Sequence, residues 1–393
     1  MNSIISDIRL RQIYDSRGKP TVEAALSTSD GKISVASAPS GTSTSKYEAV
    51  AFPNGDVALA IRRFKAKKQK FVGMSVREQS SIDAMLHKID KTRNFSFIGG
   101  NVATAVSIAA ARSAAEHEGM ELYHYINETL ARRFARERMP RHLGNIIGGG
   151  VHAKSKMKIQ ELLVSPDAGS FSRNAAISIG LRSAISAQLG ISAANIEGAL
   201  VTNYADIDNL RILAAAAKKM EAKEGVRIDI GVDMAASEYF KSGKYMFRGT
   251  MGRRKYINFV IQTVKKFGLR YVEDPVDASD FRGFSEITTA VGLRTHVVGD
   301  DLYATSGERL MEGVRERSTN GVLIKVNQVG TLTDTLNTVE AAKRNGIACV
   351  VSHRSGETTD TFISHLAVGI GAEFIKCGIV GGERIAKINE LMR

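Results

Sequence analysis

The chain has 393 residues, 43% of them hydrophobic and 24% charged, which is an ordinary balance for a globular protein. This length is too great for one small domain and fits two or three domains, or a small domain joined to a barrel of about 250 residues. Lysine and arginine exceed aspartate and glutamate by 13, which favours an anionic partner but does not choose among nucleic acid, a membrane surface and phosphorylated metabolites.

Two features of the sequence bear on where the protein works. No uncharged apolar run approaches the ~18 residues of a membrane helix, and the N-terminus reaches charged residues before any long apolar stretch, so we expect neither a membrane span nor a signal peptide. Cys349 and Cys377 form no CxxC pair and lie beside apolar runs, which is typical of buried free thiols in a reducing compartment. The sequence therefore predicts a cytoplasmic protein.

Residues 1–140 are predicted to form an N-terminal α+β capping domain, ending near Pro140. The β-rich segments IRLRQIYDS, TVEAALST and KISVASA are separated by the turn-like RGKP and SDGK, a pattern typical of an antiparallel meander. A long polar loop, APSGTSTSKYEA, follows and is of the kind that folds over a site. From Ser80 to Arg138 apolar residues recur at helical intervals, and a meander followed by helices makes an α+β unit.

Residues 141–393 alternate short apolar strands with helical stretches, which indicates parallel strands joined by crossovers. About 250 residues is the usual size of a (β/α)8 barrel, so the predicted fold class is α/β, with the capping domain followed by a (β/α)8-type barrel. The predicted strands are KIQELLVSP, RIDIGVD, LRYVEDP, THVVGDD, GVLIKVN, ACVVSHRS and EFIKCG.

Six ionisable residues stand at or near the C-terminal ends of these apolar runs: Asp233, Glu273, Asp300, Lys325, His353 and Lys376. After the first interval of 40 residues, their spacings of 27, 25, 28 and 23 residues are about one βα unit each. For any single residue a solvated loop position is the simpler interpretation. For six in register we favour convergence at one barrel mouth, where catalysis takes place in such barrels.

The converging residue types indicate a particular chemistry. Asp233, Glu273 and Asp300 are hard oxygen ligands that suit Mg²⁺, and crowded carboxylates repel one another without a cation. Arg354 with the hydroxyl of Ser355 forms a candidate clamp for phosphate or carboxylate. A lysine among other cations has a lowered pKa and can act as a base, while a metal can stabilise the dianionic enolate formed next to a carboxylate. The predicted reaction type is proton abstraction beside a carboxylate, a use of lysine and Mg²⁺ already described for the enolase superfamily.

A family resemblance extends over nearly the whole chain. It is carried, in order, by YDSRGKPTVEA, APSGTSTSKYEA, VHAKSKMKIQELLVSP, IGVDMAASEYF, YVEDP, GDDL, LIKVNQVGTLTDT, VVSHRSGETTDTFISHLAVG and IKCG. These segments resemble those of the enolases (phosphopyruvate hydratases) and follow the enolase order. The resemblance implies a hydro-lyase of glycolysis and gluconeogenesis that reversibly dehydrates 2-phosphoglycerate to phosphoenolpyruvate. It also implies two Mg²⁺ ions per active site and a homo-oligomer, at least a dimer.

Matching motif by motif, the resemblance implies a role for each site residue. The implied catalytic residues are Lys325 (the base that removes the C2 proton), Glu197 (the acid on the C3 hydroxyl), Glu161, His353 (near the leaving hydroxyl) and Lys376. The implied substrate-binding residues are Ser40, His152, Gln160, Glu161, Lys325, Arg354 and Ser355 (both on the phosphate) and Lys376 (on the carboxylate). The implied metal ligands are Asp233, Glu273 and Asp300 for the tighter Mg²⁺ and Ser40 for the second.

The chain departs from the family pattern mainly at the acid loop. Its segment NIEGALVTN keeps Glu197 but lacks the Gly-Asp that precedes the glutamate in enolases, and Ala199 replaces a glycine. The usual Pro-Ser-Gly-Ala-Ser-Thr carries Thr42 in place of alanine, and His142, His296 and His365 match no role and are predicted to be structural.

Two alternatives to a true enolase remain open. The altered loop motivates an enolase-like enzyme that acts on another carboxylate. The positive charge motivates a non-catalytic, anion- or RNA-binding enolase homologue that uses the basic runs 62–71 and 131–142. For both runs the simpler interpretation is a solvated helix face, so nucleic-acid binding is not favoured.

Overall fold

The computed structural model describes residues 3–41, 45–153 and 155–393, so that Thr42 lies outside the described residues. An antiparallel three-stranded meander opens the described chain, as predicted, and helices follow it. The elements of this part are β1 (Ile5–Tyr14), β2 (Pro20–Thr28), β3 (Ile33–Ser37), α1 (Val57–Lys65), α2 (Gln79–Asp90), α3 (Gly100–Glu118) and α4 (Leu122–Tyr125).

The long helix α3 joins the meander to the rest of the molecule. It is alanine-rich and buried on almost every side, as expected of a helix that is apolar all round. It packs against β2 and β3 and also reaches the segment Val326–Gln328. The N-terminal domain therefore packs directly on the loop that follows Lys325.

The predicted helix up to Arg138 is wrong over its last part. A π-turn at Ile126–Leu130 ends the helical structure, and residues 135–140 have no regular secondary structure. Arg132 and Arg136 would stand four residues apart on a helix, where like charges repel, and Pro140 disfavours helical backbone at the residue before it. The basic run 131–142 is therefore not a helix face.

The second part of the chain forms a closed eight-stranded barrel with helices outside, which confirms the predicted fold class. Its strand order is β10-β11-β12-β13-β14-β4-β5-β6. The elements are β4 (Arg141–Gly148), β5 (Glu161–Asp167), α5 (Phe171–Leu189), α6 (Asp206–Glu224), β6 (Arg227–Asp233), β7 (Phe240–Lys241), β8 (Lys244–Tyr245), β9 (Met251–Gly252), α7 (Arg253–Phe267), β10 (Tyr271–Glu273), α8 (Phe281–Val291), β11 (His296–Gly299), α9 (Gly307–Glu316), β12 (Gly321–Ile324), α10 (Leu332–Arg344), β13 (Ala348–Ser352), α11 (Phe362–Gly369), β14 (Phe374–Gly378) and α12 (Gly382–Met392).

Two strands differ from the prediction. β4, with the sequence RHLGNIIG, was not among the predicted strands. β5 runs antiparallel to both of its neighbours, whereas all barrel strands were expected to be parallel. The physical reason is the connection between β4 and β5, which contains no α-helix in its described residues; a parallel return needs a crossover of a dozen or more residues, usually helical. Strands β7 to β9 form a small separate sheet that was not predicted.

The barrel interior is filled by one layer of apolar side chains: Leu143, Leu163, Tyr271, Val298, Leu323, Val350 and Phe374. In β12 the neighbours Val322 and Ile324 belong instead to the core between strands and helices, so the strand is buried on both faces. Cys349 and Cys377 are free and buried, as predicted. No helix in the described ranges is long and apolar enough to cross a membrane.

Candidate active site

The apolar layer of the barrel determines which residues reach the mouth. Side chains on a strand alternate in direction, so the residue two positions beyond an interior residue also points into the barrel. Lys325 lies two residues after Leu323, and Asp300 two after Val298. The same step leads from Tyr271 to Glu273 and from Phe374 to Lys376, and in the reversed strand β5 it leads backwards from Leu163 to Glu161.

A cavity at the mouth brings most of the predicted site residues together. Of the predicted residues, its lining contains His152, Gln160, Glu161, Glu197, Asp233, Asp300, Lys325, His353, Arg354, Ser355 and Lys376. Glu273 lies beneath this lining and is fully buried. Ser40 does not line the cavity, although the next residue, Gly41, does. The hydroxyl of Ser40 accepts a hydrogen bond from Asn101 Nδ2 at 2.8 Å.

Lys376 is surrounded by carboxylates. Its Nζ donates to Asp233 Oδ2 at 2.9 Å and to both oxygens of Glu273 at 2.8 Å, and lies 3.4 Å from Glu161 Oε2. Burial, and then the neighbouring Asp233, raise the pKa of Glu273 to about 8. Burial lowers the pKa of Lys376, but Asp233 and Glu161 outweigh burial and hold that pKa well above its usual range. The ammonium of Lys376 thus balances an acidic cage.

Lys325 forms a second buried ion pair. Its Nζ donates to Asp300 Oδ2 at 2.5 Å. A lowered pKa was expected for this lysine from neighbouring cations. Burial does lower it, but the contact with Asp300 outweighs burial and places the pKa of Lys325 above its usual value. The expected direction of this shift is therefore wrong for the structure described, because the nearest charge is a carboxylate.

Asp274 is a buried carboxylate that sequence reasoning missed. Its Oδ1 accepts the backbone N–H of Asp300 at 2.9 Å, and its Oδ2 accepts that of Asp301 at 2.8 Å. Carboxylate oxygens of these three residues lie within 4.8 Å of one another. Burial, and then Asp300, raise the pKa of Asp301 to about 7. The available signal was the second acidic residue in each of the segments YVEDP and GDDL.

The shortened acid loop folds tightly and brings Glu197 into the cavity. The side-chain Oδ1 of Asn195 accepts the backbone N–H of Glu197 at 2.9 Å and that of Ala199 at 3.0 Å. Gly198 has a φ of 81°, and a Cβ there would meet the carbonyl oxygen of Val380 at 2.6 Å, so this position requires glycine. Asn195 is thus the element that closes the shorter loop, and an asparagine two residues before the glutamate was its signal.

Glu197 lies in a cluster with Glu161 and two histidines. Its Oε2 is 3.6 Å from His152 Nδ1 and 3.9 Å from His353 Nε2, and it accepts a hydrogen bond from Asn145 Nδ2 at 3.2 Å. Burial would raise the pKa of Glu197, but the surrounding positive field, with His152 as its largest contributor, lowers it below its usual range. Burial raises the pKa of Glu161 well above its usual value. Ligand atoms of Glu161 and Glu197 lie within 4.8 Å of one another, so a proton held by this pair resides on Glu161.

Arg354 is held in place by residues from both domains. Its Nη2 donates to Glu48 Oε2 at 2.9 Å, and its Nη1 donates to Asn327 Oδ1 at 3.1 Å. Ser355 receives a longer contact of 3.4 Å from Arg17 Nη1 to its hydroxyl. Glu48 and Arg17 come from the N-terminal domain and were not predicted as site residues. The capping domain therefore orients the arginine and serine of the predicted clamp.

The residues at this mouth fit a divalent metal. The cage has only oxygen donors of the hard type. Burial, and then repulsion from Asp233, raise the pKa of Glu273, and a cation would relieve the repulsion. Among described residues, two groups have ligand atoms within 4.8 Å of one another: Asp274 with Asp300 and Asp301, and His152 with Glu161 and Glu197. Of the three ligands predicted for the tighter ion, only Asp300 belongs to one of these groups. Acidic clusters that could bind metal are thus present.

A capped barrel whose mouth gathers carboxylates, two lysines and an arginine–serine pair has the architecture of a (β/α)8-type barrel enzyme. The family model for the enolase N-terminal domain matches residues 5–126, and the model for the enolase C-terminal TIM barrel domain matches residues 136–393. The chain belongs to the enolase family. The prediction of a lyase that dehydrates 2-phosphoglycerate is thereby confirmed at the level of the family.

Individual relatives agree with this assignment. The chain is 41% identical to a protein named enolase from Thermoplasma acidophilum, over 99% of this chain and 97% of that protein. It is 42% identical to an enolase from Halobacterium salinarum, over 99% and 98% of the two chains. It is 41% identical to an enolase from Methanothermobacter thermautotrophicus, over 100% and 96%.

Proposed function

We propose that the protein reversibly dehydrates 2-phosphoglycerate to phosphoenolpyruvate, with Lys325 as the base. Glu197 would act as the acid by passing to the leaving hydroxyl the proton that the Glu161–Glu197 pair holds on Glu161. One relationship supports this assignment most. Strands β12 and β5 are four positions apart in the closed ring of eight, so Lys325 and Glu161 start from opposite walls of the barrel. A substrate between them meets a base on one side and a carboxylic acid on the other, as removal of a proton and a hydroxyl from adjacent carbons requires.

The remaining site residues would bind and orient the substrate. Arg354 and Ser355 would hold the phosphate, because a buried guanidinium and a hydroxyl suit its oxygens. Lys376 would contact the substrate carboxylate. His353 would lie near the leaving hydroxyl, since its Nε2 is 3.9 Å from Glu197 Oε2. His152, Gln160 and Ser40 would complete the site from the loops around the mouth.

Asp233, Glu273 and Asp300 would hold the tighter Mg²⁺, and Ser40 would take part in holding a second. Bound Mg²⁺ would supply positive charge that stabilises the dianionic enolate. Lys376 already neutralises Asp233 and Glu273, so this lysine and a metal would share the same carboxylates.

The proposal is tested by separating proton removal from loss of the hydroxyl. The wild-type protein with Mg²⁺ should form phosphoenolpyruvate and should exchange the C2 proton of 2-phosphoglycerate with deuterated solvent. Lys325→Ala should abolish both, whereas Glu197→Gln should slow phosphoenolpyruvate formation by about 10²–10⁴-fold but retain exchange. Lys266→Ala, on an exposed helix surface, is the matched control and should behave as wild type.

Two results would contradict the roles. Undiminished exchange in Lys325→Ala would remove this lysine as the base, and an unchanged kcat in Glu197→Gln would remove the glutamate as the acid. If 2-phosphoglycerate bound no better than its unphosphorylated analogue, an enolase-like enzyme acting on another carboxylate would replace this proposal.

We also propose a cytoplasmic homodimer with two Mg²⁺ ions per active site and a domain boundary near Pro140. The family resemblance supports the dimer and the metal number. The start of β4 at Arg141 supports the boundary.

A further inference from the structure

A second cavity, of about 100 Å³, lies at the opposite end of the barrel from the candidate active site. Its wall includes the first residues of three parallel strands, Arg141 of β4, Arg227 of β6 and His296 of β11. The reversed strand β5 contributes Ser165 near its C-terminal end. Because 10–15 Å³ suffices for one water, this cavity has room for several waters or for one small ion.

Positive charge dominates the wall of this cavity. Its described lining contains four arginines and one carboxylate: Arg141, Arg227, Arg270, Arg294 and Asp229. The side chains of Arg141 and Arg227 lie 3.0 and 2.6 Å from Asp229 oxygens, and that of Arg270 lies 4.0 Å away. The guanidinium of Arg294 makes no hydrogen bond or ion pair to the described residues. One carboxylate therefore leaves three positive charges in excess.

The wall also contains buried polar atoms that lack partners within the described part of the chain. Ser165 is 2% exposed, and its hydroxyl makes no hydrogen bond. The Nε of Arg141 and the Nδ1 of His296 are likewise buried without a partner. An unsatisfied buried polar group costs about 1–3 kcal/mol, so native structures rarely retain several beside one cavity without a ligand or water.

We propose that this cavity binds a small oxyanion of the phosphate class, with the arginines as charge partners and the Ser165 hydroxyl as a neutral donor. Guanidinium groups match the geometry of phosphate oxygens and form charge-assisted hydrogen bonds with them. The site uses residues remote from the catalytic mouth, so it stands independently of the function proposed above. It accounts for part of the positive charge that the active-site residues do not explain.

This site is tested by titrating the full chain with inorganic phosphate in a calorimeter. The ionic strength is held constant, with chloride as the balancing anion. Arg354 and Ser355 offer a second place for phosphate, so wild type should bind two phosphates per chain. The double variant R227Q/R294Q changes two exposed arginines and should lose one of the two binding events. Ser165→Ala preserves the charge and should weaken the same event at least tenfold. Formation of phosphoenolpyruvate should be unchanged in R227Q/R294Q.

The matched control is R62Q/R132Q, which removes the same charge from exposed positions in the two basic runs of the N-terminal part. It should bind phosphate as wild type does. Equal weakening in this control would show only a general effect of net charge and would overturn the proposal. Wild-type phosphate binding by both R227Q/R294Q and Ser165→Ala would overturn it as well. Ser355→Ala should lose phosphate binding at the active site and keep phosphate binding at the second cavity. Loss of both binding events in this variant would place both phosphates at the active site and contradict a separate site.

Discussion

Arg384 donates from Nη1 to Nδ1 of His353 at 2.8 Å, and this contact determines which nitrogen of the histidine carries its proton. The backbone N–H of Gly378 donates to the same Nδ1 at 3.2 Å. With two donors on Nδ1, the neutral ring carries its proton on Nε2, the atom 3.9 Å from Glu197. Burial, and then the charge of Arg384, hold the pKa of His353 well below its usual value, which keeps the ring neutral.

Arg384→Lys should therefore reduce kcat by about 10²-fold, because one ammonium cannot replace the fork that also binds the carbonyls of Arg354 and Ser355. If Arg384 had only a structural role, the substitution Arg384→Lys would leave the tautomer of His353 unchanged. Nitrogen-15 NMR of the histidine ring should report protonation at Nε2 in wild type and a mixture of tautomers in the variant. A single Nε2 tautomer in both proteins would refute this positioning role. Arg344→Lys, on the exposed end of α10, is the control.

Asn195→Ala should release the acid loop without removing the acid. The variant loses both hydrogen bonds from the backbone of Glu197 and Ala199, so Glu197 samples positions outside the cavity. We expect kcat to fall at least tenfold and by no more than the roughly 10²–10⁴-fold that general acid catalysis contributes, while exchange of the substrate C2 proton with solvent continues. Asn345→Ala, which changes a cap at the exposed end of α10, should leave both rates as they are. Equal losses of exchange and dehydration would show that Asn195 supports the whole site rather than the acid.

Asp274→Ala should weaken metal binding and stability together. It leaves the backbone N–H groups of Asp300 and Asp301 without acceptors, at a cost of about 1–3 kcal/mol for each group that stays buried. Asp274→Asn keeps one acceptor and tolerates the positive φ of 40° at this position, so its loss should be smaller. Urea unfolding with and without Mg²⁺ measures both effects, since bound metal adds RT ln(1 + [Mg²⁺]/Kd) to the free energy of unfolding. Asp277→Ala serves as control, and a Mg²⁺ effect as large in Asp274→Ala as in wild type would contradict the link to the metal.

Much of the site was predictable because barrel topology and strand periodicity are simple rules. An apolar run that ends in an ionisable residue, repeated at the length of a βα unit, indicated Asp233, Glu273, Asp300 and Lys325. The period of two then explains why Lys325 shares the interior direction of Leu323. The same rule would have misplaced Glu161, which reaches the mouth only because β5 is reversed and begins there.

The residues that the sequence did not reveal act through contacts made only in the folded chain. Arg384 lies in α12, where its segment GERIAKINELMR is typical of a surface helix, yet it is fully buried. Glu48 follows a polar loop and meets Arg354 across more than 300 positions of sequence. Neither residue is marked by a local sequence pattern, since a guanidinium can pair with an imidazole, a carbonyl or a carboxylate at any separation in sequence once packing brings them together.

His142, predicted to be structural, should limit stability in mild acid. It is fully buried, its ring lies against Ser178 and the carbonyl of Cys377, and burial lowers its pKa to about 4. In the unfolded chain a histidine has a pKa near ~6.5, so between about pH 6.5 and 4 the unfolded state binds a proton that the native state excludes. The stabilising contribution is therefore complete above pH 6.5 and is lost as the pH falls towards 4. One histidine with this shift accounts for about 2 kcal/mol between pH 7 and 5.

His142→Gln removes the ring that binds this proton in the unfolded state. When the pH is lowered from 7 to 5, the free energy of unfolding of the variant should therefore fall by about 2 kcal/mol less than that of wild type. The comparison concerns the change with pH, because the substitution also alters packing and hydrogen bonds at both pH values. Urea unfolding at the two pH values measures it, and contributions from the other buried histidines are common to both proteins and cancel. The exposed His124 provides the control, since His124→Gln should reproduce the wild-type pH dependence. Should His142→Gln lose as much stability as wild type, His142 would have to be protonated in the native state near pH 5, contrary to its burial.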